Sequence, residues 1–422
     1  MNKIVISMIA FGLLASSINA LECKKENTEL KSVRDIIQTG TQIPQKELGI
    51  VDGFRAMFEE GKASGQLRGV YVQNNLKTDT DTYATAVGGL LKYETAKFNG
   101  LHFGLTMNYT EDIDVLSGDE SNGERSDELS STSSTYSQLS EAYIAYEGCL
   151  FDYKLGRQVI DTPLADSDDI RMVPNSFEAF VVQYPSETLN VTLGYLSRWQ
   201  GTDAGLDDAW VKTGENGTSF IGATYTNVVE ASLWYYKITE QNSAIYADLS
   251  YSYWFRKNLS LTAAVQYLNE SEIDNSGFEA NIYGASLELA FNDLTFGVAY
   301  NASTEETGKE SFSGFGGGTL FTNMDTMILD EITADRDASS YVAGVSYALG
   351  DFSLLYAYGD FKGEADSLGD EAHIVEQDMG VEYNYNDEFV AYIMYVISED
   401  ELSQVDTDND WNRMQVLVSY NF

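Results

Sequence analysis

The 422-residue chain reads as an all-β protein, a transmembrane antiparallel β-barrel of about 18 strands with one loop folded into its lumen. Three observations lead there. From residue 64 to the last residue the hydrophobic period is two, with one face Leu, Val, Ile, Tyr and Phe and the other Ser, Thr, Asn, Gly and charged side chains, as in a sheet with an apolar and a wet face. Tight turns alternate with long polar connections along the whole of that region. The stretch Val159 to Phe177, VIDTPLADSDDIRMVPNSF, breaks the alternation with Pro163 and Pro174, and proline lacks the N–H that a ladder needs.

Taken in order, residues 1–20 read as a signal peptide, with Lys3 before an apolar core and Ala20 at the cleavage point. Residues 21–63 form a periplasmic lead-in in which TELKSVRDIIQ and GIVDGFRAMFEEG carry helical spacing. The barrel itself is expected over 64–422, and no helix-length apolar run of about 18 residues follows the leader. The clearest strands are LNVTLGYLSRW at 189–199, SAIYADLSYSYW at 243–254, NLSLTAAVQYL at 258–268 and NRMQVLVSYNF at 412–422. Most of the 18 segments approach the roughly 9 to 11 residues with which a tilted strand crosses a bilayer. An even strand count puts both ends on the side of the tight turns, the periplasm in an outer-membrane barrel. Tyrosines near strand ends fit the aromatic girdles of such a barrel, and the chain closes on Phe422.

With 66 acids against 25 Lys and Arg the formal charge is -41, which excludes a nucleic-acid partner that would reward clustered cations. The acids gather in long connections: eight against Arg125 in 111–135, eight against Lys309 and Arg336 in 302–338, and six with no base in 399–410. In this topology those loops face outward, where they solvate the surface, draw cations, or bridge lipopolysaccharide through divalent ions. No cofactor is expected beyond weak calcium binding by these loops, as the run DTDND at 406–410 lacks the glycine and distal Glu of a calcium loop. Cys23 and Cys149 are the only cysteines. Export and an even count allow a disulfide between them, and two free thiols remain the alternative.

Alternation fixes the wall. With Val416, Val418, Tyr420 and Phe422 toward lipid, Arg413 and Gln415 face the lumen, and the same phase turns Arg198 inward, joined by Lys92, Lys154 and Arg68. Glu94, Glu141, Glu230, Asp248, Glu288 and Glu382 are the inward acids. In the interrupting loop, Asp161, Asp166, Asp168, Asp169 and Arg171 are the candidates for a constriction; the alternative is that Asp168 or Asp169 caps a turn or pairs with a wall arginine to pin the loop. Two distant histidines, His102 and His373, give no nucleophile-and-base spacing and no metal-ligand spacing, so no enzyme is expected.

The segments GQLRGVYV at 65–72, KLGRQVIDTPLADSDDIRMVPNSFEA at 154–179 and GFGGGTLFTNM at 314–324 resemble the OprD-type porins, especially the branch found in epsilon-class proteobacteria. That resemblance implies 18 strands, an eyelet built by the loop between strands five and six, and a ladder of basic residues guiding carboxylate-bearing solutes. Arg68, Arg157, Arg198 and Arg413 are the positions that match such a ladder. The expectation is therefore an outer-membrane porin that passes ions and small hydrophilic solutes, prefers cations, and selects amino acids or carboxylates. A structural or adhesive surface barrel acting through its acidic loops is the alternative. The partners implied are outer-membrane lipids, lipopolysaccharide and small solutes, with monomer and homotrimer both open.

Overall fold

The computed structural model describes residues 50–130, 135–206, 210–305, 307–386, 388–402 and 409–422. One helix, α1 (Ile50–Glu59), precedes the strands β1 (Lys62–Leu76), β2 (Thr82–Glu94), β3 (Leu101–Asp112), β4 (Thr135–Glu147), β5 (Asp152–Gln158), β6 (Ser176–Tyr184) and β7 (Leu189–Gln200). A two-residue strand β8 (Val211–Lys212) follows, then β9 (Thr218–Thr226), β10 (Glu230–Ile238), β11 (Asn242–Arg256), β12 (Leu259–Glu272), β13 (Ala280–Phe291) and β14 (Leu294–Glu305). The sheet is completed by β15 (Ala338–Leu349), β16 (Phe352–Gly363), β17 (Ala372–Asn384), β18 (Phe389–Asp400) and β19 (Trp411–Asn421).

Every wall strand pairs antiparallel with its neighbour in sequence, and β1 pairs with both β2 and β19, from Gln66 opposite Asn421 to Leu76 opposite Trp411. The sheet is thus a closed cylinder of eighteen strands, with β8 set apart at the outer end of β7. Closure follows from the solvent: a strand edge in hydrocarbon would leave N–H and C=O groups without partners, so only a sheet without edges spans a bilayer. Burial in β19 alternates as the phase requires, with Arg413, Gln415, Leu417 and Ser419 buried inside and Val418 and Tyr420 exposed outside.

A bulge at Phe255 falls at the end of β11, and two others reset that phase within the wall. One lies at Ser140, between the pairs Thr106–Glu141 and Met107–Leu139, and the other at Ser197, between Glu178–Arg198 and Ala179–Leu196. Beyond Ser197 the alternation inverts, so Trp199 stacks inside on Phe177 at 6.2 Å while Arg198 turns to the outer face. At the opposite end α1 lies against the outside of β2 and β3. Met57 is buried, Phe58 stacks on Phe103 at 6.4 Å, and the Tyr93 hydroxyl donates to the Phe58 carbonyl at 2.5 Å.

The inner wall is not uniformly polar. Phe220, Trp234, Tyr236, Ile238, Tyr246, Leu268 and Ile282 point inward from β9 to β13 and form one cluster with Phe312, Phe315, Leu320 and Leu329 of the loop 306–337. Trp234 stacks on Tyr236 at 6.1 Å. This apolar sector is the seat on which the inward loops rest.

Close strand approach leaves no room at Gly89, whose φ is +145° and where an added Cβ would stand 1.9 Å from the Gln66 carbonyl oxygen. Gly89→Ala is expected to weaken the barrel by about 2 kcal/mol through backbone strain, read as a lower urea midpoint for the folded form in detergent micelles.

Candidate constriction site

The site begins with the loop 159–175 between β5 and β6. Thr162 and Ala165 exchange backbone hydrogen bonds, the Thr162 N–H to the Ala165 carbonyl at 2.7 Å and the Ala165 N–H to the Thr162 carbonyl at 3.2 Å, which folds the chain back at Pro163. Asp166 Oδ1 then accepts the Asp168 N–H at 2.7 Å, an aspartate turn that holds Asp168 at a φ of +38°. The Asn175 N–H closes the loop on the Ser167 carbonyl at 2.6 Å. Ile160, Leu164, Ala165, Met172 and Val173 are buried, so the apolar residues of the stretch face the barrel wall and its other loops while the aspartates line the free side.

A second loop meets it. The connection 302–338 was expected to face outward as an acidic vestibule; instead its residues 307–337 fold into the lumen and pack on the first loop. The Phe315 N–H donates to the Leu164 carbonyl and the Asp166 N–H to the Phe315 carbonyl, each at 2.9 Å, a parallel bridge between Ala165 and Phe315. The glycine run makes the approach possible: a Cβ on Gly316, at φ +123°, would lie 2.5 Å from the Asp166 carbonyl oxygen. A loop buried this way must find partners for its backbone. Inward side chains of the wall supply them: Glu270 accepts the Phe312 N–H at 2.8 Å, Gln266 the Phe321 N–H at 2.7 Å, Asn301 the Thr322 N–H at 3.1 Å, and Glu376 the Thr326 N–H at 3.0 Å.

Ion pairs tie both loops to the seam of the barrel. Arg68 on β1 holds Asp169 in a fork, Nη1 to Oδ1 at 2.6 Å and Nη2 to Oδ2 at 3.1 Å, and also donates to the Arg171 carbonyl. Arg413 on β19 reaches Asp325 of the second loop and Glu128 of the loop 113–134, each at 2.9 Å. Both guanidiniums are almost wholly enclosed, with side chains 5% and 4% exposed, whereas Asp169 remains 42% exposed. Arg171 stands between Glu128 at 3.5 Å and Asp203 at 3.8 Å and keeps 21% exposure. Gln415 donates to the Ile170 carbonyl at 2.8 Å, and Asn175 to Asp203 at 2.6 Å.

The electrostatics divide the carboxylates. Burial works against the charge on Glu128, but Arg413 and Arg171 outweigh it and hold its carboxyl below the ordinary range. Burial pushes Asp166 up to about 6, with Asp161 and Asp203 adding to it. Burial and the adjacent Asp203 push Asp168 up to about 8 against the pull of Arg171. Asp161 is exposed and accepts the Ser167 N–H at 3.2 Å.

The remaining wall residues are distributed as follows. Lys92 and Lys154 face inward and share Glu141, at 2.9 and 3.7 Å, with the Lys154 ammonium 4.0 Å above the Tyr143 ring. Glu94 accepts the Tyr143 hydroxyl at 2.7 Å. Asp248 accepts the Ser232 hydroxyl, and Glu230 is exposed on the inner face beside the periplasmic mouth. Arg157 and Arg198 differ from the expected ladder. They sit in register with Glu178 and share the outer-facing phase of Leu155 and Phe180, Arg198 because of the Ser197 bulge and Arg157 because β5 keeps Lys154 and Gln158 inside. Sequence reasoning missed Glu128, Asp203 and Asp325, the acids that neutralise the arginines: Glu128 and Asp325 lie in acidic connections expected to face outward, and nothing in the alternation marks Asp203. Cys149 is exposed in the turn between β4 and β5, while Cys23 and the signal peptide lie outside the described residues. Among the described residues no group of His, Cys, Asp and Glu is arranged to hold a metal ion.

Breaking an enclosed ion pair by removing one partner leaves a stranded charge, at a cost of about 3 to 5 kcal/mol. Asp325→Ala leaves the enclosed Arg413 one of its two carboxylates, Glu128, and is expected to loosen the loop 307–337, read as new protease cleavage within it and as noisier, larger single-channel currents. Arg68→Met should loosen the loop 159–175 less, by about 1 kcal/mol, because Asp169 is already partly solvated.

With this geometry in hand, comparison with known proteins gives a consistent answer. A search of curated proteins returns no match. Among solved structures the chain is similar to Acinetobacter baumannii OccAB4, at 16% identity and a TM-score of 0.74, over 86% of this chain and 98% of that one. It is also similar to Pseudomonas aeruginosa OpdK crystallised with vanillate, at 16% identity and a TM-score of 0.72, over 87% and 99% of the two chains. Acinetobacter baumannii OccAB3 matches at 13% identity and a TM-score of 0.73, over 86% and 100%. At these identities the likeness speaks for the fold. The family model for outer membrane porins of the OprD family matches residues 55–421, nearly the whole barrel, and the chain belongs to that family of passive outer-membrane porins, which are not enzymes.

Proposed function

We propose that this porin is a cation-preferring channel for small hydrophilic solutes, with the eyelet carboxylates Asp161, Asp166, Asp168 and Asp203 as its filter. One observation carries the reading: the seam arginines Arg68 and Arg413 are enclosed and spent on holding loops, while Asp161, Asp166, Asp168 and Asp203 keep solvent-facing surface. A guanidinium with its donors already engaged offers little to a passing carboxylate, whereas a ring of carboxylates favours cations. Arg157 and Arg198, on the outer face, cannot act on a solute in the lumen.

Arg171 supports a narrower reading. It is the eyelet cation with exposed surface, and it lies among acids on both sides, so it offers a carboxylate site within reach of ammonium sites. That pattern suits a zwitterion such as an amino acid better than a simple carboxylate. The vanillate in OpdK is a carboxylate, and its channel shares the fold, but here the wall ladder that would hand carboxylates along is missing two members. The adhesive alternative loses weight because residues 307–337 of the second acidic connection, 302–338, are drawn inside the barrel.

The pH dependence follows in sign. A raised carboxyl is neutral below its pKa, so Asp166 discharges as pH falls through about 6 and Asp168 acquires its charge as pH rises through about 8. Zero-current potentials across a salt gradient should thus show cation preference growing from pH 5 to pH 9. Asp166→Asn with Asp168→Asn should flatten that profile and reduce the cation-to-anion permeability ratio about threefold, the order expected for charges removed from a narrow screened passage. A pH-independent anion preference in the parent channel would reject the filter.

A further inference from the structure

We infer that the outer surface of β4 to β10 carries a binding site for the phosphates of an outer-leaflet glycolipid, centred on Arg157 and Arg198. The register places two rows side by side on that surface. Ile144, Leu155, Phe180 and Tyr195 are opposite one another on successive strands and form an outward apolar row. The next row toward the outer loops reads Ala142, Arg157, Glu178, Arg198 and Lys212, all facing the same way. Arg157 and Arg198 stand one and two residues before the outward ends of β5 and β7, and Lys212 lies opposite Arg198 in β8, so the charges gather where the wall gives way to the outer loops. Lys237 extends the cations to β10, at the end of the row through Tyr195 and Ser219.

The short strand β8 explains itself here. It pairs antiparallel with the outer end of β7 through Arg198–Lys212 and Trp199–Val211, and it brings Trp210 over the Arg157 guanidinium at 4.5 Å. Arg157 is oriented further by Glu178, at 3.1 Å from Nη2. Arg198 is exposed and has no partner among the described residues; Asp207 and Asp208, just before Trp210, lie outside them. Below the guanidinium opens a groove of about 560 Å³ floored by Leu139, Ala142, Leu155, Phe180 and Tyr195. An apolar groove leading up to two arginines and a lysine has the chemistry of one acylated, phosphorylated headgroup.

Charge argues for this occupant over others. A chain of net charge -41 repels an anionic leaflet, and its acidic loops can meet phosphate only through bridging cations. On this sector Arg157, Arg198, Lys212 and Lys237 outnumber Glu178, Glu215 and Glu240 among the described residues, so phosphate is met directly, with Arg suited to bind it through paired donors. The site lies outside the lumen and is independent of the channel's ion preference.

The test uses the full protein in detergent micelles, with native mass spectrometry after addition of bisphosphorylated lipid A, fully dephosphorylated lipid A, or phosphatidylglycerol. The parent protein should retain bisphosphorylated lipid A roughly tenfold better than Arg157→Gln with Arg198→Gln, the order expected for two cations at a charged interface. Glu178→Gln, which removes the acid competing for Arg157, should retain it more strongly. Arg198→Gln alone removes no contact seen in the fold and serves as the variant certain to be compared as a folded channel of unchanged conductance; it should lose part of the binding. Equal retention by parent and variants overturns the site, as does equal retention of dephosphorylated lipid A, which would make the groove merely apolar. Retention of phosphatidylglycerol as strong as that of lipid A would overturn the glycolipid assignment, and a lipid-free dimer broken by the same variants would assign the surface to a second copy of the chain.

Discussion

The constraint on which this molecule depends is that its backbone crosses hydrocarbon, where no water completes an unpaired N–H or C=O. The antiparallel ladder from β1 round to β19 satisfies that demand only by closing, and closure at the pairs Gln66–Asn421 through Leu76–Trp411 fixes an enclosed lumen. An eighteen-strand cylinder is too wide for wall side chains to fill. What occupies the lumen is therefore chain rather than side chain, and the porin's character lies in how its loops are brought inside and held.

Those loops obey the same rule as the wall. Their backbone groups bond to each other at Ala165 and Phe315, or to inward Glu270, Gln266, Asn301 and Glu376. Their apolar residues lie on the inward aromatic sector of β9 to β13. Their charges are neutralised by Arg68 and Arg413, with Arg171 left between Glu128 and Asp203. The residues of one cluster thus differ in exposure: the enclosed pairs hold the loops, and Asp161, Asp166, Asp168 and Asp169 are left partly toward water.

The wall was legible because a period of two is a direct consequence of pleating. All eighteen wall strands correspond to alternating segments of the sequence, and the two-residue β8 was invisible because nothing alternates in two residues. Phase was legible wherever the ladder is regular, as in β19, and failed at Arg198 because one extra residue, Ser197, turns everything beyond it over. The loop 159–175 announced itself through Pro163 and Pro174. The loop 306–337 did not, since its acids resemble those of a solvated surface, yet two signals were present. The run GFGGG permits close backbone approach, and LWYYKI in β10 is apolar on both faces, which a strand between lipid and water has no reason to be.

The two arginines stand on adjacent strands, one on each side of the seam between the first and last. From Arg68 the contacts run to Asp169, along the first loop to Ala165, across to Phe315, along the second loop to Asp325, and back to Arg413. That is a closed circuit through the interior, beginning and ending at the one place where the cylinder joins its two ends. Pulling the seam apart sideways must stretch this circuit as well as the ladder, so the loops act as an internal tie rod. A barrel stripped of them would lose not only the chain that fills its lumen but a brace against lateral tension in the membrane.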